Sequence, residues 1–228
     1  MISVIIPTYN EAENIQLTID GLNRCKSSDI EIIVVDGGSQ DKTTAIAVQC
    51  GAKVLIANPG RAAQMNAGAA IAQGSILLFL HADTTVPKGF DRWIQESLDD
   101  AIAGAFDLKI AGENWPLRAI EWGVAIRSRF CQMPYGDQGI FLKAEPFHQL
   151  GGFPELPIME DFVFMRTVRK KGRIAIVPAT VLTSARRWQT QGIWQTTLMN
   201  QVMIVGFYLG VKPDRLRNWY RSGICPLT

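Results

Sequence analysis

The chain has 228 residues, of which 47% are hydrophobic and 19% are charged, and its formal net charge is +2. This length predicts one domain over residues 1–228 with a sizeable core. The small net charge excludes the broad basic surface that nucleic-acid binding requires, so nucleic acid is not an expected partner.

The N-terminus predicts a strand and not a signal peptide. It lacks a basic start and reaches proline and acidic residues too early for the apolar core of a leader. The longest apolar stretch, residues 202–211, is about half of the roughly 20 residues that a spanning helix needs. The cysteines Cys25, Cys50, Cys131 and Cys225 form no CxxC pair, which gives no sign of a zinc or dithiol site. We therefore expect a cytoplasmic protein in a reducing compartment.

The first part of the chain alternates predicted strands and helices. Short β-branched runs, typical of strands buried on both faces, predict strands at 3–6, 31–35, 53–57 and 75–80. Helical composition predicts helices at 11–25, 42–50 and 61–73. This series predicts an α/β fold with a parallel sheet, right-handed crossovers and helices on both faces.

The second part alternates less regularly. The predicted helices are 88–98, 117–129, 161–171 and a last helix from about 193. The predicted strands are 104–110, 139–143 and 174–177. No linker or repeat separates the parts. Residues 1–83, 84–190 and 191–228 are therefore expected to be a nucleotide-binding half, an acceptor and catalytic half, and a helical tail of one domain.

Ligands of an open parallel sheet bind beyond the carboxyl ends of its strands. No GxGxxG stands at these ends, which removes the main support for a dehydrogenase. Tyr9 could stack on a base, Asp36 could accept hydrogen bonds from base or ribose, and Arg61 could offset diphosphate charge. The alternative is local: Pro7 and Gly37 form turns and Asp36 caps the next helix.

Four ordered segments resemble the nucleotide-binding half of the family 2 inverting glycosyltransferases, whose fold is of the GT-A type. They read SVIIPTYNEAENI, VVDGGSQDKT, GRAAQMNAGAAIAQG and LHADT, and the resemblance covers roughly residues 2–187. It implies a mostly parallel central sheet flanked by helices and a nucleotide-diphosphate sugar as donor. The nucleotide pocket that it implies is lined by Pro7, Thr8, Tyr9, Glu11, Asp36, Arg61 and Asn66. Gly37 stands where the family often has a second acidic residue. The identity of the nucleotide base is therefore left open.

The resemblance also implies a divalent cation, Mn²⁺ or Mg²⁺, that bridges the donor phosphates. The family's DxD element reads His81-Ala82-Asp83 in this chain. Asp83 takes the metal-contacting place. His81 replaces the first acid, and it could bond ribose, favour manganese, or be a buried, hydrogen-bonded histidine.

Direct displacement needs a general base, which the family takes from an acidic pair before a helix. Glu160-Asp161 resembles that pair, which implies that Asp161 is the base and Glu160 supports it or contacts the sugar. The alternative is that both acids are favoured there only by the helix dipole. Asp137 and Gln138, in a segment resembling the family's sugar-placing one, could read sugar hydroxyls or form a polar turn.

Residues 184–188 resemble the QxxRW element of processive family members, but the glutamine is missing, so we expect a single transfer. Arg187, or its neighbour Arg186, could neutralise the diphosphate. The spellings LHADT and GDQGIF also resemble a bacterial subgroup linked to arsenosugar formation. The acceptor, a small molecule or a lipid-linked one, is not named by this resemblance.

Two alternatives to an enzyme of this class differ in what the sequence must contain. Nucleotidyl transfer would need a glycine-rich loop with a basic residue after the first strand, and that loop is missing. A non-catalytic nucleotide-sugar binder or membrane-associated scaffold stays open because of His81.

The tail is apolar over 193–211, and four basic residues follow it at 212–221. It predicts either contact with anionic lipid at the inner face of the membrane or a helix packed on the domain or on a second subunit of a homodimer.

Overall fold

The computed structural model describes residues 1–222, so Cys225 and the end of the expected tail lie outside the described residues. The strands are β1 (Ile2–Thr8), β2 (Ile30–Asp36), β3 (Lys53–Ile56), β4 (Ile76–Phe79), β5 (Thr84–Thr85), β6 (Ala103–Ile110), β7 (Ile140–Lys143) and β8 (Ile174–Thr183). The helices are α1 (Ile15–Cys25), α2 (Thr43–Gln49), α3 (Arg61–Ile71), α4 (Phe90–Ser97), α5 (Trp115–Cys131), α6 (Ala144–Gln149), α7 (Glu160–Arg169), α8 (Arg186–Gln191), α9 (Ile193–Tyr208) and α10 (Pro213–Ser222). A short 3-10 helix spans Gly136–Gln138.

All eight strands form one sheet in the order β3-β2-β1-β4-β7-β6-β8-β5. The pairs among β3, β2, β1 and β4 are parallel, and β6 is parallel to β8. β7 runs antiparallel to both β4 and β6, and β5 runs antiparallel to β8. The sheet is thus mostly parallel and flanked by helices, which confirms the predicted fold class.

Alternate residues of β1 enter two separate cores, one on each face of the sheet. Val4 and Ile6 pack with residues of α1, α2, α4 and α5, whereas Ile5 packs with residues of α3, α6, α7 and α9. Helix α3 comes unusually close to the sheet because Gly68 has no side chain. A Cβ there would lie 2.6 Å from Ile5 Cγ2. This close approach places the start of α3 beside the carboxyl end of β1.

The register brings several chain turns to one edge of the sheet. Thr8 at the end of β1 lies opposite Asp36 at the end of β2. Phe79 at the end of β4 lies opposite Ile140, the first residue of antiparallel β7. The 3-10 helix, which precedes β7, therefore lies at the same edge as the segments that follow β1, β2 and β4.

Helix α1 begins at Ile15, four residues later than predicted. The backbone N–H groups of Glu11 and Ala12 donate instead to Thr43 Oγ1 and Asp41 Oδ2, at 2.8 and 3.1 Å. Contacts with the loop before α2 therefore hold this segment as a turn.

Strand β8 continues past the predicted end at Val177. The register shifts between Phe106 and Asp107 of β6, whose partners are Val177 and Thr180. Pro178 and Ala179 are thus the extra residues of a bulge, where the missing N–H of proline costs no ladder bond.

The tail packs on the domain, as one of its two predictions stated. Met199 and Met203 of α9 and Leu216 of α10 are buried in the core that also contains α7. Within residues 1–222, no helix combines the length and apolarity needed to cross a bilayer. The division of the chain after residues 83 and 190 stays a prediction.

Candidate active site

Four side chains from three segments meet at the carboxyl edge of the sheet. Arg61 opens α3, His81 follows β4, and Glu160 and Asp161 open α7. Arg61 Nε donates to Glu160 Oε1 at 2.6 Å, and Arg61 Nη1 lies 3.4 Å from His81 Nε2. These four residues line one cleft together with Pro7. The structure therefore brings together residues that lie 100 positions apart in the sequence.

Asp161 is held in this cleft by backbone donors. The N–H of Gly136 donates to Asp161 Oδ2 at 2.8 Å, and the N–H of Phe162 donates to Oδ1 at 2.7 Å. A Cβ on Gly136 would lie 3.2 Å from both Asp161 Oδ2 and His81 Nε2. The absence of a side chain at Gly136 thus leaves open the space between the carboxylate and the imidazole.

Burial and neighbouring charges set the protonation states of Arg61, His81 and Glu160. Glu160 is only 2% exposed, and its carboxylate raises the pKa of Arg61, which stays charged. Burial, with Arg61 close by, lowers the pKa of His81 to about 4. Because a guanidinium can only donate hydrogen bonds, His81 Nε2 is the accepting nitrogen of a neutral imidazole. Burial raises the pKa of Glu160, and Arg61 opposes that rise.

Asp137 and Gln138 follow Gly136, but they differ in what they can reach. Burial raises the pKa of Asp137, and its Oδ1 has no hydrogen-bond partner among the described residues. Gln138 is fully buried: it donates to the carbonyl of Phe106 at 3.0 Å and accepts from Ser128 Oγ at 2.8 Å. In this conformation Gln138 holds the 3-10 helix in place, which differs from the predicted contact with a sugar.

Asp83 lies beside an ion pair between the segment that follows β1 and helix α8. Arg186 Nη2 of α8 donates to Glu11 Oε1 at 2.8 Å. Burial and the nearby charge of Glu11 raise the pKa of Asp83, while Arg186 opposes that rise. The half-buried Asp83 carboxyl is therefore flanked by one acid and one cation. The predicted Arg186 alternative thus lies next to the predicted metal contact.

Arg187 is the arginine that the sequence favours as the contact to the diphosphate, but its side chain packs against Tyr220. Its guanidinium carbon lies 3.5 Å from the centre of the Tyr220 ring, and Nη2 donates to the Tyr220 carbonyl at 3.3 Å. Burial lowers the pKa of Arg187. Arg187 therefore joins α8 to α10.

The end of β1 forms the predicted nucleotide side of the site. Tyr9 is 58% exposed and free to stack, and Pro7 lines the cleft. Thr8 is buried, and its hydroxyl donates to Asp36 Oδ1 at 3.3 Å.

Asp36 is 1% exposed, and both of its oxygens are engaged. Its Oδ2 accepts from the N–H groups of Gly38 and Ser39 at 2.9 and 2.7 Å, and its Oδ1 accepts from Ser39 Oγ. The structure thus gives Asp36 a local role, which is to hold the turn at Gly38 and Ser39 and not to cap α2, whose N-cap residue is Lys42.

Asn66 also has a structural partner. Its side-chain amide donates to the carbonyl of Phe153 at 2.8 Å and accepts from the Phe153 N–H at 2.9 Å. Both polar groups of Asn66 are thus engaged with the loop before α7. This position supports the acidic pair and differs from the predicted nucleotide contact.

Three residues near the site were not predicted from the sequence. Gln64 donates to the carbonyls of Thr8 and Val35 at 2.8 and 2.7 Å and so joins the ends of β1 and β2. Tyr135 precedes the 3-10 helix, and Arg127 lies 3.5 Å above its ring. The predicted helical face of α3 could have singled out Gln64 as a polar residue at a buried position. The contact between Tyr135 and Arg127 depends on how α5 packs near the site, and hydrophobic periodicity does not predict that packing.

Comparison with known proteins gives a family. The family described as Glycosyl transferase family 2 matches residues 3–150, which is more than half of the chain. Glycosyltransferase AglE of Haloferax volcanii is 35% identical over 116 residues, covering 47% of this chain and 37% of AglE. The chain therefore spans little more than a third of that relative.

Solved structures share the fold. A mannosyltransferase from Pyrobaculum calidifontis, PcManGT, in complex with GDP-Man and Mn²⁺, has a TM-score of 0.68 at 18% identity, over 89% of this chain and 61% of that one. TarS of S. aureus in complex with UDP-GlcNAc has a TM-score of 0.64 at 20% identity, over 80% and 58%. At these identities the likeness shows the fold alone, and that fold is of the GT-A type.

Proposed function

The chain belongs to glycosyl transferase family 2, and from that premise we propose that it transfers a sugar from a nucleotide-diphosphate donor to an acceptor hydroxyl, with inversion. The observation that carries the proposal is the cluster of Arg61, His81, Glu160 and Asp161 in one cleft at the carboxyl edge of the sheet. Membership of a family and a fold would not be enough alone, because one fold hosts many functions.

Asp161 is proposed as the general base. It takes the proton of the acceptor hydroxyl as the oxygen attacks the anomeric carbon, and the bond from that carbon to the phosphate oxygen breaks. The nucleoside diphosphate leaves with the electron pair of that bond. The backbone donors of Gly136 and Phe162 orient the carboxylate, and the neutral His81 places no competing cation against it.

Glu160 and Arg61 are proposed to position the base and the donor. Their ion pair fixes the first turn of α7, so Asp161 faces the cleft. Arg61 has a second guanidinium nitrogen directed at His81, and this side of the cation is the one available to donor phosphates. Asp137, with an unpaired and buried carboxyl oxygen, is the proposed contact to sugar hydroxyls.

The nucleotide is proposed to bind along the end of β1. Exposed Tyr9 stacks on the base, and Pro7 shapes the turn beneath it. Thr8 and Asp36 support this edge from within, whereas Asn66 supports the loop before α7. Arg186, released from Glu11, is better placed than Arg187 to offset the diphosphate charge near Asp83.

A divalent cation fits this site only together with the donor. No group of three or more His, Cys, Asp or Glu side chains within residues 1–222 could hold a metal ion. Such ions commonly use one or two carboxylates plus substrate phosphates, and the partly buried Asp83 supplies one carboxylate. When bound, the ion would neutralise charge that develops on the leaving diphosphate. The complexes named for PcManGT and TarS support a nucleotide sugar as donor.

The acceptor is proposed to receive a single sugar and not a growing polymer, because the glutamine of the processive element is missing from residues 184–188. An acceptor linked to arsenosugar formation stays a prediction, which rests on the sequences of the two segments LHADT and GDQGIF. The acceptor could equally be carried by a lipid.

A donor screen tests the proposal. The purified chain is mixed with UDP-, GDP- and dTDP-sugars, with and without Mn²⁺, and both thermal protection and release of nucleoside diphosphate are measured. We expect one nucleotide class to protect the fold and to be hydrolysed slowly with water as acceptor. Protection without release, even with extracts of candidate acceptors, would favour the non-catalytic binder. Neither protection nor release by any donor would overturn the proposal.

A further inference from the structure

Exposed apolar side chains are concentrated on two helices, α5 and α9. We call this surface the α5–α9 face. Its exposed members are Trp115, Trp122, Ile126, Phe130, Trp194, Leu198, Val205, Tyr208 and Leu209. They are more than half of the large apolar side chains that are exposed within residues 1–222. Single exposed apolar residues need no explanation, but a contiguous set marks an interaction surface.

The two helices form one continuous surface. The rings of Trp115 and Trp194 are in edge contact, with centroids 6.3 Å apart. Helix α9 carries no charged residue from Ile193 to Tyr208, although one side of it faces outward. Its inner side is anchored by Met199 and Met203. An anchored helix without charge on its outer side is unusual in water.

Basic residues outnumber acidic ones in the segments that carry the α5–α9 face. The segment from Arg186 to Ser222 has six basic residues and one acidic residue, and α5 has three arginines and one glutamate. The whole chain has a net charge of only +2, so the rest of the molecule carries an excess of acid. Lys212 follows exposed Leu209 by three residues, and neither Lys212 nor Arg221 makes an ion pair within residues 1–222.

We propose that the α5–α9 face docks on an anionic phospholipid bilayer. Three tryptophans, a phenylalanine and a tyrosine on an outward face, in a net basic part of the chain where Lys212 and Arg221 make no ion pair within residues 1–222, match the composition of surfaces that lie in the headgroup region. A symmetric dimer through the same face would bring two surfaces of the same net charge together, which disfavours a second copy. The docking would occur whether or not the proposed sugar transfer is correct.

The test is co-sedimentation with vesicles of phosphatidylcholine alone or mixed with phosphatidylglycerol, at low and high salt. Wild-type protein is expected to bind the anionic vesicles at low salt and to be released by salt, since charge attraction is screened. Lipids brominated on their chains are expected to quench tryptophan fluorescence. Removing Lys212 and Arg221 by substitution with Gln should weaken binding about fivefold per charge.

The apolar part is tested by the variant Trp115→Ser/Trp122→Ser/Trp194→Ser, whose side chains are all about 70% exposed and whose fold should survive. Its binding and the quenching should be lost. A matched control, Leu17→Ser/Val48→Ser, removes exposed apolar groups from α1 and α2 and should bind normally. Wild-type protein that stays in the supernatant, or equal binding by the tryptophan variant, would overturn the proposal. So would a wild-type dimer, seen by light scattering, that the tryptophan variant abolishes.

Discussion

Asp161 is the side chain on which the proposed reaction depends most directly. Asp161→Asn keeps an oxygen that can accept from the Gly136 N–H but removes the group that takes the acceptor proton. We expect turnover to fall roughly 10²-fold or more, with donor affinity nearly unchanged. Steady-state kinetics with the identified donor and acceptor measure both quantities. Asp99→Asn, an exposed change after α4, is the control. Near-normal turnover of Asp161→Asn would show that another group is the base.

His81 gives a prediction about pH. Its folded pKa of about 4 lies below the ordinary value of about 6.5, so only the unfolded chain takes up this proton between the two values. The stability contributed by neutral His81 is present above pH ~6.5 and is lost as pH falls to ~4, by up to about 3 kcal/mol. Urea unfolding in EDTA should show this loss in wild type and a smaller one in His81→Gln. Identical pH profiles would contradict the neutral, buried imidazole.

The sequence predicted which residues carry the chemistry, but not the direction of every side chain. Glu160, Asp161 and Asp83 were predicted because their segments resemble motifs of the family 2 glycosyltransferases. The hydrogen bonds of Asn66 and Gln138 depend on backbone atoms of Phe153 and Phe106, which lie 87 and 32 positions away. No local sequence pattern identifies those partners. The sequence therefore predicted ligand contacts for Asn66 and Gln138 and did not predict their hydrogen bonds to the backbone.

The closeness of α3 to the sheet gives a prediction for that helix. In Gly68→Ala the new methyl would lie 2.6 Å from Ile5 Cγ2 and 2.9 Å from Val35 Cγ2. We expect a loss of about 1–3 kcal/mol in the free energy of unfolding, as overpacked cores show. Gly123→Ala on α5 is the matched control, since nothing lies within 4 Å of its new methyl. It should stabilise by about 0.5–1 kcal/mol through helix propensity. Denaturant unfolding compares them, and equal effects would refute the close packing.

Elements with long, regular patterns were predictable, and those set by contacts were not. The first four strands and three intervening helices were found, because buried β-branched runs and helical segments alternate there. Strand β5 has two residues and pairs with the end of β8, so it exists only through that contact. Helices α6 and α8 have six residues each and lie where no element was predicted, whereas α10 forms a separate helix within the predicted helical tail. Pro178 ended the predicted strand, whereas the bulge lets β8 continue.

Ligand binding should couple to the stability of the whole domain through Asp83. A nucleoside diphosphate is expected to raise the melting temperature weakly in EDTA and more strongly with Mn²⁺, because the Asp83 carboxylate repels the diphosphate unless a cation offsets both charges. Mn²⁺ alone should have little effect. In Asp83→Ala the extra protection by Mn²⁺ should vanish, whereas the exposed change Lys88→Ala should preserve it. Protection that is equal in EDTA and in Mn²⁺, in wild type and in Asp83→Ala alike, would contradict the metal assignment.

The measurement that tests sugar transfer most directly is time-resolved proton NMR of the anomeric signal during reaction of the donor that the screen identifies. The wild-type chain should release the nucleoside diphosphate and first form the sugar product of inverted anomeric configuration, as single displacement requires. Asp161→Asn should form the same product roughly 10²-fold more slowly. A product of retained configuration, or no loss of the donor signal with any acceptor, would contradict this account.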